Sequence, residues 1–582
     1  MPRKVIGIDL GTTNCSLAYA DTASAQGVLA PPPVTLFPIA QLVNPGEVRD
    51  EPLLPSFLYV PGPTDFPAGT IELPWKSEGP VVGQLAQKRG VENASRLVSS
   101  AKSWLSYAGV DRSAPLLPLN APAGVEKLSP VQVSREYLEH LRHAWDVKNP
   151  DDPFDQQEVL VTVPASFDAV ARDLTLKAAE QAGYKNVLVL EEPQAAFYAW
   201  IERHPDWRQR VKEGDLILVV DIGGGTTDFT LISVTQQNGE LQLERVAVGE
   251  HILLGGDNID LALARFVEHQ LSGKNVKLDA LQLYQLWQQC RVAKERLLEE
   301  DSEKAEHAVT ILGRGTGLIG GTIKAKLQRE DLNRILLDGF FPAASIEDMP
   351  QKQRRAGLAE IGLPYASDPA VTRHLAKFLR QQGSPTHVLF NGGMLRAGLV
   401  RDRIIETLNS WGPPVQLLMG EDLMHAVARG AAYYGLSRHG KGVRIRGGIP
   451  RTYYVGIESA MPAVPGMPAP LKALTVASFG MEEGTSVQMS QKEFGIIVGE
   501  PAEFRFFNSA TRKDDAPGTM IDDVADDLEE LSPVEVSLDG NNGEFVPVTL
   551  ETVVTETGML QLWCVARDGR RWKLEFNVRE RV

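Results

Sequence analysis

Gly7-Ile8-Asp9-Leu10-Gly11-Thr12-Thr13, near the start of the chain, is answered in mid-chain by Val220-Asp221-Ile222-Gly223-Gly224-Gly225-Thr226-Thr227-Asp228. Each is a short apolar strand that ends in an aspartate and turns through glycine into hydroxyl residues. Glycine lets backbone N–H groups approach a phosphate closely, and threonine hydroxyls add donors. An aspartate at a strand end can hold Mg²⁺ through its water shell, because that ion keeps several waters and needs few carboxylates. Two such hairpins, about two hundred residues apart, predict two similar lobes gripping one nucleotide.

The rest of the composition narrows the class. With 582 residues the chain is too long for one core and predicts about three or four domain-sized units. Apolar content of 43% with 23% charged residues reads as an ordered globular protein rather than a disordered one. A formal net charge of −16 argues against nonspecific nucleic-acid or anionic-membrane binding, since either needs a basic face. No apolar run approaches the roughly eighteen residues of a spanning helix. Met1-Pro2-Arg3-Lys4 passes directly into the first strand, so no signal peptide is expected. The three cysteines, Cys15, Cys290 and Cys564, are far apart and lack a metal-ligand pattern, which suits a reducing cytoplasm.

Along the chain, residues 22–80 are rich in proline and predict loops and short edge strands. Helical patterns follow over 84–107 and 131–147. Glu158 to Val163 reads as a strand, Pro164 to Gly183 carries an amphipathic helix, and Val187 to Leu190 is a strand leading into Glu191-Glu192-Pro193. Residues 257–300 are mostly helical, the strand His387–Asn391 runs into Gly392-Gly393, and a helix covers about 423–436. Alternating strands and helices imply an α/β architecture over 1–437. A linker is expected over 438–450, where Gly440, Gly442, Gly447, Gly448 and Pro450 cluster. Period-two alternation then dominates 451–582, in Thr452 to Gly456, Ser486 to Met489 and Phe504-Arg505-Phe506-Phe507. A hairpin of Met559 to Val565 and Trp572 to Phe576 turns at Arg567-Asp568-Gly569. This region reads as a mainly β domain, a small sandwich, with the acidic stretch Asp514 to Glu530 as a mobile loop.

These residues resemble the seventy-kilodalton heat-shock chaperone family, within the actin-like (ribonuclease H-like) ATPase superfamily. The ordered set runs from the first hairpin through Val161-Thr162-Val163-Pro164-Ala165-Ser166-Phe167, with Arg172 eight residues past the proline, to Glu191-Glu192-Pro193-Gln194-Ala195-Ala196. It continues through Asp221 to Asp228, Gly249-Glu250-His251 with Gly255-Gly256-Asp257, Gly392-Gly393 followed by Arg396, and Ala426 to Gly435. Thr557-Gly558-Met559-Leu560 and the terminal hairpin look like the last strands of the family's peptide-binding sandwich. The resemblance implies a two-lobed ATPase over 1–437 that binds ATP or ADP with Mg²⁺.

Carried over by position, Asp9 and Asp221 bind the hydrated Mg²⁺. Gly11, Thr12, Thr13, Gly223, Gly224, Gly225, Thr226 and Thr227 surround the phosphates. Lys102, 20 residues after Val82-Gly83-Gln84 as in the family, matches the catalytic lysine, and Glu192 the carboxylate at the attacking water. Thr226 joins Asp9, Lys102, Glu192 and Asp221 in the catalytic set. Gly255, Gly256, Lys294, Gly392, Gly393 and Arg396 complete the nucleotide pocket, and Pro164 with Arg172 relays nucleotide state. The chemistry agrees, since phosphoryl transfer to water needs positioning and charge neutralisation more than covalent steps.

Three departures shape the expected function. Arg291, Glu295 and Leu298 replace residues that usually touch base and ribose, and Met394 stands at a usual hydroxyl position, so adenine is expected to be held differently or more weakly. The linker reads Val443-Arg444-Ile445-Arg446 instead of apolar residues ending acidic, and four residues after Val578 leave no room for a helical lid. The expectation is a divergent ATP-dependent chaperone for unfolded or client polypeptides, served by a J-domain-type co-chaperone and an exchange factor. The alternative is an ATP-sensing regulator or scaffold for one specific protein. Weaker signals read as structural. Gly315-Thr316-Gly317-Leu318-Ile319-Gly320 fits a dinucleotide fingerprint without its βαβ context. His140 and His143 read as a solvated helix face rather than a metal site, and Cys15 as a packed residue.

Overall fold

The computed structural model describes residues 3–22, 31–107, 109–119, 121–237, 240–249, 252–273, 275–299, 302–312, 322–351, 363, 365–380, 382–420, 422–443, 449, 451–458, 471–482, 484–509, 512–522, 528–531, 534–555 and 559–577. Their contacts divide the chain into two units, Met1–Gln236 with Val246–Arg444, and Gln237–Arg245 with Ile445–Val582. Gly315–Gly320, Arg444 to Arg446, Glu250, His251, Thr557 and Gly558 lie outside the described residues.

The first unit has mixed α/β content, built around two sheets of the same plan. In the first sheet β1 (Lys4–Leu10) pairs antiparallel with β2 (Asn14–Asp21), which pairs with β3 (Thr35–Leu36). On its other side β1 pairs parallel with β4 (Glu158–Val163), and β4 with β5 (Val187–Glu191). In the second sheet β6 (Leu216–Ile222) pairs antiparallel with β7 (Thr227–Gln237), and β8 (Glu240–Val248), whose residues up to Arg245 count with the second unit, is next in the strand order. Its other side pairs parallel with β9 (His387–Asn391), and β9 with β10 (Gln416–Leu418). Each plan is a three-strand meander followed by two parallel strands. Ile6, Ile8, Val159 and Val161 anchor one core; Leu218, Val220, Phe229 and Val388 anchor the other. The central strands read as continuous apolar runs because both faces are covered.

Five helices matter for the site: α1 (Ala101–Leu105), α2 (Glu192–Arg203), α3 (Gly256–Ser272), α4 (Ala280–Leu298) and α5 (Ala426–Arg438). Helix α4 starts at a reciprocal cap, with Asp279 accepting from Gln282 N at 2.9 Å and Gln282 Oε1 from Asp279 N at 3.2 Å. Helix α5 lies against β1 and α2 at backbone distance. A Cβ on Gly7 would fall 2.2 Å from Ala428 O, and one on Gly430 would fall 1.7 Å from Ala195 O, so only glycine permits this packing.

Two helical expectations change. The pattern over 84–107 breaks into Gln84–Glu92, a 3₁₀ turn at Ala94–Arg96, the strand Leu97–Val98 and α1. Ser100, at φ 55°, turns the chain just before α1. His140 is not on a solvated face. It is buried, its Nε2 lies 2.9 Å from Ala40 O, its ring meets Trp75 edge-on, and burial pushes it down to about 4.

The second unit is β-rich. One sheet orders Met520–Ile521, Leu471–Ala477, Thr452–Glu458, Phe506–Ser509 and Glu529–Glu530; another orders Thr485–Val498, Glu544–Val554, Met559–Ala566 and Arg571–Asn577. Tyr453, Val455, Leu474 and Val476 of the first share a core with Ile496, Val546, Leu550 and Leu562 of the second. The run Phe504 to Phe507 splits at Arg505 between two strands, Pro501–Phe504 and Phe506–Ser509. In the acidic stretch Met520–Ile521 and Glu529–Glu530 add edge strands, and Asp515 accepts from Tyr454 Oη at 2.8 Å; residues 523–527 lie outside the described set. Among the described residues no helix is long and apolar enough to cross a membrane.

Candidate functional site

The two glycine turns have the same length and register. Leu10 pairs with Cys15 across the first, and Ile222 with Thr227 across the second. They meet face to face. A Cβ on Gly224 would lie 2.0 Å from Thr13 Oγ1, and one on Gly225 would lie 2.9 Å from Thr12 Cγ2 and 2.7 Å from Ser103 Oγ. Threonine side chains of one turn thus occupy space that missing side chains leave in the other. Each turn is held from behind. Ser56 Oγ donates to Gly11 O at 2.7 Å, while Gly256 N and Asp257 N donate to Gly223 O and Gly224 O at 3.1 and 2.7 Å. Thr227 Oγ1 donates to Leu254 O at 2.7 Å. Gly392, at φ 92°, passes so close to the second strand end that a Cβ would fall 2.6 Å from Asp221 Oδ1.

Between the turns lies a buried charge cluster. Lys102, on α1, is buried and donates to Glu192 Oε1 at the start of α2. Burial alone would lower the Lys102 ammonium, but Glu192 and Asp9 hold it above its usual value. Burial first, then the Glu192 charge, pushes Asp9 up to about 7. The same two causes, in the same order, raise Asp221 well above the carboxylate range, against a 2.7 Å hydrogen bond from Asn391 Nδ2. Asp228 is pushed up to about 7, mainly by burial, and accepts from Ser166 Oγ at 2.5 Å. Buried carboxylates that repel one another in this way favour a bound cation. Among the described residues no three His, Cys, Asp or Glu converge tightly enough to ligate an ion directly. The buried, mutually repelling carboxylates of Asp9 and Asp221 fit an ion held by one or two carboxylates through its own waters, as Mg²⁺ is.

Asp228 stood in the quoted motif without a role, and Ser103, Ser166 and Asn391 were not among the sequence candidates. Asn391 had a readable signal, since it ends an apolar strand before Gly392-Gly393 as the aspartates do before their glycines. On the far side of the second turn, Arg291 of α4 bonds Asp257 and reaches Asp260 Oδ2 at 3.1 Å. Lys294 Nζ lies 2.8 Å from Asp260 Oδ1 and donates to Gly256 O at 3.1 Å. Both cations are thus committed to protein groups. Met394 is buried, while Gly393 and Arg396, in the turn after β9, are exposed. Arg172 Nη2 donates to Ala165 O at 3.1 Å and lies 3.4 Å from Glu191 Oε1, which ties the segment after Pro164 to the end of β5.

With this geometry in view, residues 75–342 match the family model described as Hsp70 protein. The chain is 31% identical over 313 residues to a chaperone protein HscA homolog of Cupriavidus necator, covering 52% of this chain and 42% of that protein. It is 31% identical over 313 residues to the HscA homolog of Cupriavidus taiwanensis, with the same coverage. The HscA homolog of Ralstonia nicotianae is 30% identical over 317 residues, covering 52% of this chain and 43% of that one. The chain thus spans less than half the length of the curated relatives it matches. In motif order and over residues 75–342 the chain is thus similar to proteins of the Hsp70 family, the HscA homologs among them.

Proposed function

We propose that the first unit is a two-lobed, actin-like ATPase and that its nucleotide state controls binding of client polypeptide by the β-rich unit. The observation that carries this reading is the meeting of two matched aspartate–glycine turns around the buried Lys102–Glu192 pair. In this reading Thr12, Thr13, Gly223, Gly224, Gly225 and Thr226 hold the β- and γ-phosphates, and Asp9 and Asp221 hold hydrated Mg²⁺. The ion would neutralise phosphate charge when bound. Lys102 balances charge that builds on the transferring group, and Glu192 orients the attacking water. Burial strengthens both effects, because the cleft's dipoles and charges are already in place before reaction. Gly255, Gly256, Gly392 and Gly393 give backbone access on the nucleoside side, with Arg396 at its rim.

Lys102→Ala is the direct test. Single-turnover hydrolysis should fall about a hundredfold, the cost of losing one charge-stabilising group, while ADP still binds. Unchanged hydrolysis sinks the assignment. For the coupled β-rich unit, affinity for an unfolded peptide should differ about fivefold between ATP and ADP, the lower end of usual allosteric coupling. Binding of one partner protein and no generic apolar peptide would replace the chaperone reading with an ATP-sensing regulator.

A further inference from the structure

His425 precedes the first residue of α5 and forms, with Asp422, a pair that none of the roles above uses. Its Nδ1 lies 3.0 and 2.8 Å from the two carboxylate oxygens of Asp422. Asp422 is itself held by the Met424 N–H at 3.3 Å. A carboxylate only accepts, so in the neutral ring the hydrogen sits on Nδ1 and Nε2 is left as an acceptor. That Nε2 is sealed from solvent and has no hydrogen-bond partner among the described residues. A buried acceptor without a donor is costly, and such groups in folded proteins point to an ordered water or a ligand.

The helix register says where the ring lies. Along α5, Gly435 faces Val5 of β1, and Ala432 and Ala428 face Gly7. Followed backwards, the helix reaches His425 as β1 reaches Asp9. Met424 meanwhile faces Gly393, with Sδ 3.8 Å from where a Cβ would stand. The start of α5 thus borders both strand ends that line the cleft.

We propose that His425 is a positioning residue of the nucleotide site, its Nε2 accepting a hydrogen bond from a water of the Mg²⁺ shell beside Asp9 while Asp422 fixes the ring's tautomer. Carboxylate–imidazole pairs orient metal ligands in the same way elsewhere, where the ring binds the ion itself. Here the ring acts through water. The inference rests on the ATPase reading of this cleft.

The test is calorimetric ADP affinity, measured with Mg²⁺ and with EDTA, in wild type, His425→Ala, His425→Gln and Asp422→Asn. The gain in affinity on adding Mg²⁺ should fall about fivefold in His425→Ala, the worth of one hydrogen bond. His425→Gln, which puts a carbonyl oxygen near the Nε2 position, should restore most of it. Asp422→Asn keeps the side-chain volume; with its oxygen held by the Met424 N–H, its amide N–H donates to Nδ1, which moves the ring's hydrogen to Nε2, and the gain should be lost as in His425→Ala. Affinity in EDTA should be equal in all four. A Mg²⁺ gain unchanged in Asp422→Asn and His425→Ala overturns the proposal while leaving the ATPase reading intact. A wild type that binds ADP with no Mg²⁺ gain overturns the proposal alone. A wild type that binds no ADP overturns the ATPase reading and this one with it.

Discussion

The two halves of the first unit repeat one plan yet divide its chemistry. Position by position Asp9 answers Asp221, Gly11 answers Gly223, and Thr12-Thr13 answer Gly224-Gly225. Across the hairpin Asp9 faces Ser16, whereas Asp221 faces a second acid, Asp228. Across the parallel pair Asp9 faces Thr162 and Asp221 faces Asn391. The first half adds the lysine, Lys102; the second adds the buried network of Asp257, Asp260, Arg291 and Lys294. A duplicated frame therefore provides position, and unlike residues on it provide complementarity: hydroxyls on one side, bare backbone on the other.

The largest expected effect attacks what only the second half has. Arg291→Ala leaves Asp257 with one partner fewer and Asp260 with Lys294 alone, in a buried setting. Breaking such a pair from one side should cost about 3–5 kcal/mol, read by urea denaturation. A loss under about 1 kcal/mol would show that water reaches the network.

Next comes the equivalence of the turns. A Cβ on Gly11 would lie 2.2 Å from Asn14 O, whereas one on Gly223 finds nothing nearer than Thr226 O at 3.8 Å. Gly11→Ala should therefore weaken ADP binding by about 2 kcal/mol or more, and Gly223→Ala by less than about 0.5 kcal/mol. Equal losses at the two positions would mean that the backbone N–H groups, and not the space, set the affinity.

A smaller effect concerns Asp228, which has no acidic counterpart in the first half. Its folded value of about 7 stands above the 3.8 of an ordinary aspartate, so the folded protein binds more protons between those limits. Stability from this group is present at low pH and is lost as pH rises from about 4 to about 7. Asp228→Asn removes that slope, and the nucleotide-free variant should gain on the order of 1–2 kcal/mol over wild type near pH 8 relative to pH 5. Thermal melts at the two pH values decide it, and a gain confined to the acid side reverses the sign of the argument.

The smallest concerns the base. With Arg291 and Lys294 committed to Asp257 and Asp260, ADP should bind in the micromolar range, with less than about tenfold preference over other nucleoside diphosphates. Nanomolar ADP with strong adenine preference would show that Glu295, Arg396 or Met394 serves the base after all.

The hairpins were legible because their information is local. An apolar strand, an acid, glycines and hydroxyls lie within nine residues, and strand pairing follows from turn length. The strand His387–Asn391 and the terminal hairpin were readable for the same reason, from runs of apolar and alternating residues. Ser166 and Asp228 meet across 62 residues, and Asn391 and Asp221 across 170, and no spacing in the sequence announces either contact. The helical pattern over 84–107 misled because Ser100 takes up a left-handed backbone that serine rarely adopts, and its side chain then reaches Asp257. His140 misled because Trp75, 65 positions earlier, covers the face that looked open.

By itself the sequence determined the two aspartate–glycine frames, the acids and lysine they would need, and the change to alternating strands after residue 450, because turn chemistry and side-chain period act over a few residues. Only the tertiary structure decided which groups share the cleft. Burial and the field of distant charges set the state of Asp9, Asp221 and Asp228. Helix register along β1 set the place of His425, and the commitment of Arg291 and Lys294 to aspartates set what is left for a base. Desolvation and Coulomb attraction depend on distances in space, and those distances exist only once both sheets are packed.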